Sequence, residues 1–204
     1  MDASQVALVL FGRRRVPWGL GALPVVLPEV ASDSEADRLT RYSRIIVVGS
    51  HADLATVLTR LLRADRLDIE VAHATRRWLG WRARRGAATR VPLIRDETGS
   101  VVTRTARWLP PEGDGTISGE AVVDDSLLFD GSVTGVQIEP TTAMPGLRAR
   151  VISGGLRPRR WVPGRAAQLG TTGAQVVRDG KLAPRQIRRS TFYRHTEGWL
   201  RVGR

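Results

Sequence analysis

Between Arg44 and Leu62 the chain reads RIIVVGSHADLATVLTRLL: an apolar β-branched run, a Gly-Ser turn, then a helical pattern. Ile and Val crowded into so short a run suit a buried strand. Leu54, Val57, Leu58 and Leu61 recur at i, i+3, i+4 and i+7 and therefore share one helix face. Asp53 in the first turn and Arg60 and Arg63 in the last match the helix dipole at both ends. A strand that breaks at a glycine and runs into a helix presents backbone N–H groups at the sheet edge, where many folds bind phosphate. Gly49, Ser50, His51, Ala52 and Asp53 are the candidate phosphate- or nucleotide-binding residues on this ground. Asp53 is also a candidate ligand for a divalent cation, against the alternative of a first-turn charge placed for the dipole.

The flanking sequence extends this unit. Val6–Phe11 reads as a buried strand, and Pro17 to Pro28 as a connector with a short strand at Val25–Leu27. Ser32-x-x-Glu35 has capping-box spacing and predicts a helix running on through Ala36, Leu39 and Tyr42. Leu67–Ala72 predicts a third strand, completing a strand–helix–strand unit with a parallel crossover. Residues 1–75 thus form an expected α/β unit.

Beyond His73 the pattern changes. Residues 76–90 are basic and weakly patterned and read as a linker or loop. Arg76, Arg77, Trp78, Trp81, Arg82, Arg84 and Arg85 interleave guanidinium and indole groups. They form a candidate basic face for single-stranded nucleic acid or an anionic membrane surface, the membrane being the better fit of the two. The competing reading is a helix that buries Trp78 and Trp81 and turns its arginines to water. From Val91 onward, strand-like runs follow at close spacing: Val91–Ile94, Val101–Thr105, Gly119–Val123, Ser132–Ile138, Leu147–Ile152, Ala166–Leu169 and Ala174–Arg178. With turns such as Asp130-Gly131 and Asp179-Gly180, they predict an antiparallel β-sandwich over residues 91–204. Tyr193, His195 and Glu197 alternate, so one strand would put them on one face. Asp124, Asp125 and Asp130 form an acidic cluster that reads first as turn chemistry and second as a cation site.

Composition narrows the chemistry. The chain has no cysteine, which excludes disulfides and thiolate metal sites. Its three histidines lie scattered and no HExxH motif occurs. Asp2 stands where a secretory leader needs basic residues, and no run reaches the length of a membrane span. The expectation is a soluble cytoplasmic protein, with association at the inner membrane face as its variant. All but one of the 32 basic residues are arginine, in a net charge of +12. Such a balance draws phosphates, nucleic acid or anionic lipid, and it also matches the codon bias of a GC-rich genome.

An α/β piece with a glycine turn, followed by a β-rich half, resembles the diacylglycerol/lipid kinase and NAD kinase superfamily. The resemblance implies a doubly wound first domain, a β-sandwich second domain, and nucleotide and substrate between them. It also implies ATP with Mg²⁺ as the cofactors of an active member, and a lipid-type kinase reaction. The family's Gly-Gly-Asp-Gly-Thr loop corresponds here to Gly49-Ser50-His51-Ala52-Asp53, which keeps only the first glycine. Its Gly-Thr-Gly-Asn segment corresponds to Ala72-His73-Ala74-Thr75, which adds Thr75 to the candidate site. Leu128-Phe129-Asp130-Gly131 and Val176-Val177-Arg178-Asp179-Gly180 resemble the Asp-Gly turns of the family's sandwich. Gly113-Asp114-Gly115-Thr116 spells most of the loop but links strands, with no helix to receive a phosphate. The expected protein is thus a degenerate or non-catalytic member that binds a phosphorylated ligand. The alternative is an Arg/Trp protein for nucleic acid or an anionic membrane.

Overall fold

Two apolar runs occupy the middle of the first sheet: β1 (Val6–Leu10) and β3 (Arg44–Val48) pair in parallel along their whole length. Their side chains are buried on both faces, as a parallel sheet covered on both sides requires. The computed structural model describes residues 5–26, 39–75, 80–152 and 160–203. The helix expected from Ser32 lies largely outside these residues.

The chain divides into two units, Met1–Val91 with Glu197–Arg204, and Pro92–Thr196. In the first unit the sheet order is β2 (Val25–Val26), β1, β3, β4 (Glu70–His73), β17 (Trp199–Val202) and β5 (Ala88–Val91). All neighbours are parallel except β17 and β5. Helix α1 (His51–Arg63) joins β3 to β4 and buries Ala52, Leu54, Ala55, Val57, Leu58 and Leu61. Its C-terminus closes by a Schellman pair: Arg66 N–H donates to Leu61 O at 2.9 Å and Asp65 N–H to Leu62 O at 3.2 Å. Asp65 takes the left-handed position, φ 53°, that glycine usually fills.

Helix α2 (Gly80–Arg85) follows β4 and turns Gly80 and Ala83 inward. Ala83 joins Val6, Leu8, Leu20, Leu23, Ile46 and Val202 in one apolar cluster. Arg44, nearly inaccessible, ties these pieces together: Nε donates to Glu70 at 2.6 Å and Nη1 to the Arg84 carbonyl at 2.6 Å. A buried guanidinium persists only when its charge and donors are met in this way.

The second unit is built on β14 (Ala166–Arg178), a long strand that belongs to two sheets. Its first half pairs with β9 (Ile117–Val123) and β16 (Ile187–Arg194), its last residues with β8 (Ala106–Leu109). The register shifts across Gly170–Ala174, where the strand passes from one sheet to the other. The remaining strands extend the sheets on either side: β6 (Ile94–Asp96), β7 (Val101–Val102), β10 (Ser126–Val133), β11 (Val136–Pro140), β12 (Leu147–Val151), β13 (Val162–Gly164) and β15 (Lys181–Leu182). Their inner residues form one core in which Trp108 of β8 meets Phe192 of β16, ring centroids 5.8 Å apart.

Several expectations shift. The C-terminal strand does not extend the β-rich part; β17 lies between β4 and β5 in the first sheet. Within the expected linker, residues 80–91 form α2 and β5. The runs Ala166–Leu169 and Ala174–Arg178 are one strand, whereas Ser132–Ile138 breaks into β10 and β11 near Gly135. Tyr193 lies on β16, but His195 follows it and Glu197 pairs with Arg90 of β5, so they share no strand face.

Candidate functional site

The turn after β3 is closed by its own side chains. Ser50 is the N-cap of α1, and its Oγ accepts from the Asp53 amide at 3.2 Å. Asp53 answers: its Oδ2 accepts from the Ser50 amide at 2.7 Å and from Ser50 Oγ at 2.8 Å. This reciprocal capping box occupies two backbone donors that a phosphate would otherwise meet. It also sets a carboxylate against the positive end of the helix dipole.

The box explains Gly49. A Cβ there would fall 2.8 Å from both Cβ and Oδ2 of Asp53, inside any real carbon contact. Glycine is needed because the capping carboxylate folds back over the turn. Asp53 therefore has a structural task, and its Oδ2 is engaged at the cap. Among the described residues no group of three or more His, Asp or Glu converges on a common point. This donor set does not fit a Mg²⁺ site.

The strand order places this turn at a particular point. The chain leaves β1 towards β2 on one side and takes up β3 on the other. The loops after β1 and β3 therefore part at a topological switch point, the crevice where open α/β sheets bind ligands. Phe11 N–H donates to Val48 O at 3.0 Å and Ala74 N–H to Val47 O at 2.9 Å, holding the three strand ends side by side.

Cationic groups gather there. His73, the last residue of β4, donates from Nε2 to the Gly49 carbonyl at 3.0 Å, since a carbonyl can only accept. The His51 and His73 rings meet edge to face, centroids 4.9 Å apart. Burial holds the His73 pKa below the usual histidine range. The Gly49 bond opposes that shift, while the charges of His51, Arg14 and Arg201 add to it. Those charges act on one imidazole from three separate stretches of chain.

The candidate residues thus divide. Gly49, Ser50, His51, Ala52 and Asp53 stand together at the turn, and exposed Thr75 lies two residues beyond His73. Arg76, Arg77 and Trp78 fall outside the described residues. Trp81, Arg82, Arg84 and Arg85 lie on α2, whose carbonyls at Ala83 and Arg84 meet Arg44, at the opposite end of β3 from Gly49. Trp81 is exposed rather than buried, because Gly80 and Ala83 take the inward positions. Arg14, His73 and Arg201 were not singled out in the sequence reading. The Arg13–Arg15 run immediately after the first strand is the signal that points to Arg14.

The acidic turns of the second unit are structural. Asp124, φ 49°, accepts from the Arg165 and Ala166 amides at 2.9 Å. Asp179, φ 48°, gathers the Thr103, Arg104 and Thr105 amides at 2.8 to 2.9 Å. Each carboxylate fastens a hairpin tip to a neighbouring segment. Trp161 lies between the guanidinium groups of Arg148 and Arg150, at 4.3 and 4.4 Å.

No family model and no curated protein matches the sequence. Solved structures match the fold. An NAD kinase from Archaeoglobus fulgidus in complex with ATP is 12% identical with a TM-score of 0.65, covering 97% of this chain and 93% of that one. A protein assigned as a diacylglycerol kinase from Bacillus anthracis str. Sterne is 9% identical with a TM-score of 0.73, covering 98% and 97%. Yeast NADH kinase complexed with NADH is 8% identical with a TM-score of 0.57, covering 94% and 70%. The chain shares its fold with these NAD kinase, diacylglycerol kinase-like and NADH kinase structures.

Proposed function

We propose that this chain is a non-catalytic member of the kinase-like fold, an α/β unit with a β-sandwich, that binds a phosphorylated small molecule at the β1–β3 switch point. One observation carries the reading: the α1 N-terminus, where the resembling family grips nucleotide phosphates, is closed by Asp53, while cations crowd the strand ends beside it. Arg14 and Arg201 supply charge that a glycine-rich loop would supply as backbone amides, with His51 beside them at the helix start. Two of the similar structures carry ATP or NADH, which supports a phosphate-bearing nucleotide as the first ligand class to try. Phosphoryl transfer would require a bound cation and a base near the acceptor hydroxyl. With Asp53 engaged at the cap, the turn offers neither.

Isothermal titration of the whole chain with ATP, NAD and inorganic phosphate, without Mg²⁺, tests the proposal. Binding should weaken at least tenfold in Arg14→Gln or His51→Gln, the scale of one charge-assisted hydrogen bond. Mg²⁺ should leave it unchanged. Transfer of the γ-phosphate to any acceptor, or no binding of any of these ligands at millimolar concentration, refutes it.

A further inference from the structure

Two tryptophans of the first unit are turned to solvent, Trp18 at 81% and Trp81 at 62% exposure. Indoles are large apolar groups, and two of them exposed on touching segments make the kind of apolar surface that marks an interaction site. They come from separate stretches of sequence. Trp18 sits on a turn completed by Gly19 at φ 80°, anchored on either side by Val16, Leu20 and Leu23 in the core. Trp81 is the second residue of α2, whose Gly80 and Ala83 face inward.

The two segments touch at one point. A Cβ on Gly80 would lie 2.2 Å from the Trp18 carbonyl oxygen, so only glycine lets the turn rest against the helix. The residue after Gly80 is Trp81. Exposed arginines flank both indoles along the chain: Arg13 and Arg15 just before the turn, Arg82 and Arg85 on α2.

We propose that Trp18 and Trp81, with these arginines, form a docking surface for an anionic phospholipid bilayer. Indoles settle at headgroup depth, their apolar bodies towards the acyl chains and their N–H groups in the wet layer. Arginines at that level meet lipid phosphates, and the net charge of +12 draws the chain to the surface. Nucleic acid fits less well. The Arg82 guanidinium lies over the Trp81 ring, 5.5 Å from its centroid, and so covers one of the two indole faces on which a base could stack. Among the described residues no helix is long and apolar enough to cross a membrane, so the contact is with the surface.

The test is co-sedimentation of the full chain with phosphatidylcholine vesicles, with and without phosphatidylglycerol, at low and physiological salt. The parent should bind the anionic vesicles, release them as salt rises, and leave pure phosphatidylcholine unbound. Trp18→Ala and Trp81→Ala should each lower the partition coefficient about tenfold, for an indole partly withdrawn from water. Arg82→Gln and Arg85→Gln should each lower it about fivefold. Quenching by brominated lipid should vanish in the double tryptophan variant, whose circular dichroism should match the parent's because both side chains are exposed. Undiminished partitioning of that double variant overturns the proposal. So does binding to single-stranded DNA without vesicle binding at the same ionic strength. Neither result bears on the switch-point site, which titration with soluble ligands reads separately.

Discussion

Gly49 and Asp53 should behave as one unit, and a double-mutant cycle can measure it. In the parent, Gly49→Ala drives a methyl to 2.8 Å from both Asp53 Cβ and Oδ2. Overpacking of this kind costs about 1–3 kcal/mol. Asp53→Gly alone loses the carboxylate half of the capping box, about 1 kcal/mol, and adds the backbone freedom of a helical glycine, about 1 kcal/mol more. In that background the three atoms nearest the new methyl have all gone, because each belonged to Asp53. Gly49→Ala should then be neutral, or stabilising by about 0.5 kcal/mol through the loss of unfolded-state freedom. The cycle should therefore show a coupling of about 2 kcal/mol, where independent sites add to within about 0.5 kcal/mol. Urea denaturation followed by far-ultraviolet circular dichroism supplies the four free energies. Additive single effects would refute the claim that Gly49 is glycine for the sake of the capping carboxylate. A thermal shift of the parent with Mg²⁺ and ATP that disappears in Asp53→Asn would assign the carboxylate to a metal instead.

Three other outcomes are expected. His73 is held below its unfolded pKa of about 6.5. In the acid range the unfolded chain therefore binds the extra proton, so this contribution to stability is complete above that value and declines as pH falls towards the folded pKa. His73→Gln should flatten the stability profile as pH falls below about 6.5, and an unchanged slope in urea titrations would contradict the reasoning. Trp108→Ala should cost about 3–5 kcal/mol, since the indole is fully buried against Phe192. Trp108→Phe should cost much less, because it removes a buried N–H that has no hydrogen-bond partner in the structure. Asp179→Ala should cost about 2–4 kcal/mol, as the Thr103, Arg104 and Thr105 amides lose a shared acceptor. Loss of amide protection at those positions in hydrogen exchange would locate the damage.

The α/β unit was legible because its signals are local. Ile45–Val48, the turn and the apolar stripe of α1 carry their periodicity within a few residues, and strand and helix obey it in place. The cap could also have been read. Ser50-x-x-Asp53 has the same spacing as Ser32-x-x-Glu35. β8 is hard to read from sequence because its alternation, Ala106 and Trp108 inward and Arg107 outward, spans only four residues before Pro110. Trp199–Val202 was assigned to the wrong sheet for a different reason. A short strand carries no mark of its partner, and the choice of β4 and β5 is a long-range pairing.

By itself, then, the sequence determined the strand–glycine–helix at Arg44–Arg63, the absence of thiol chemistry, the cationic surface and the succession of short strands beyond residue 91. Periodicity, residue type and charge settle these without reference to distant neighbours. Only the tertiary structure decided that Asp53 seals the helix, that Arg14 and Arg201 act on His73, and that Trp18 lies against the residue before Trp81. Each joins side chains by proximity across a sheet or a packed turn. Proximity of that kind is set by the summed burial of the whole unit rather than by any one segment's preference.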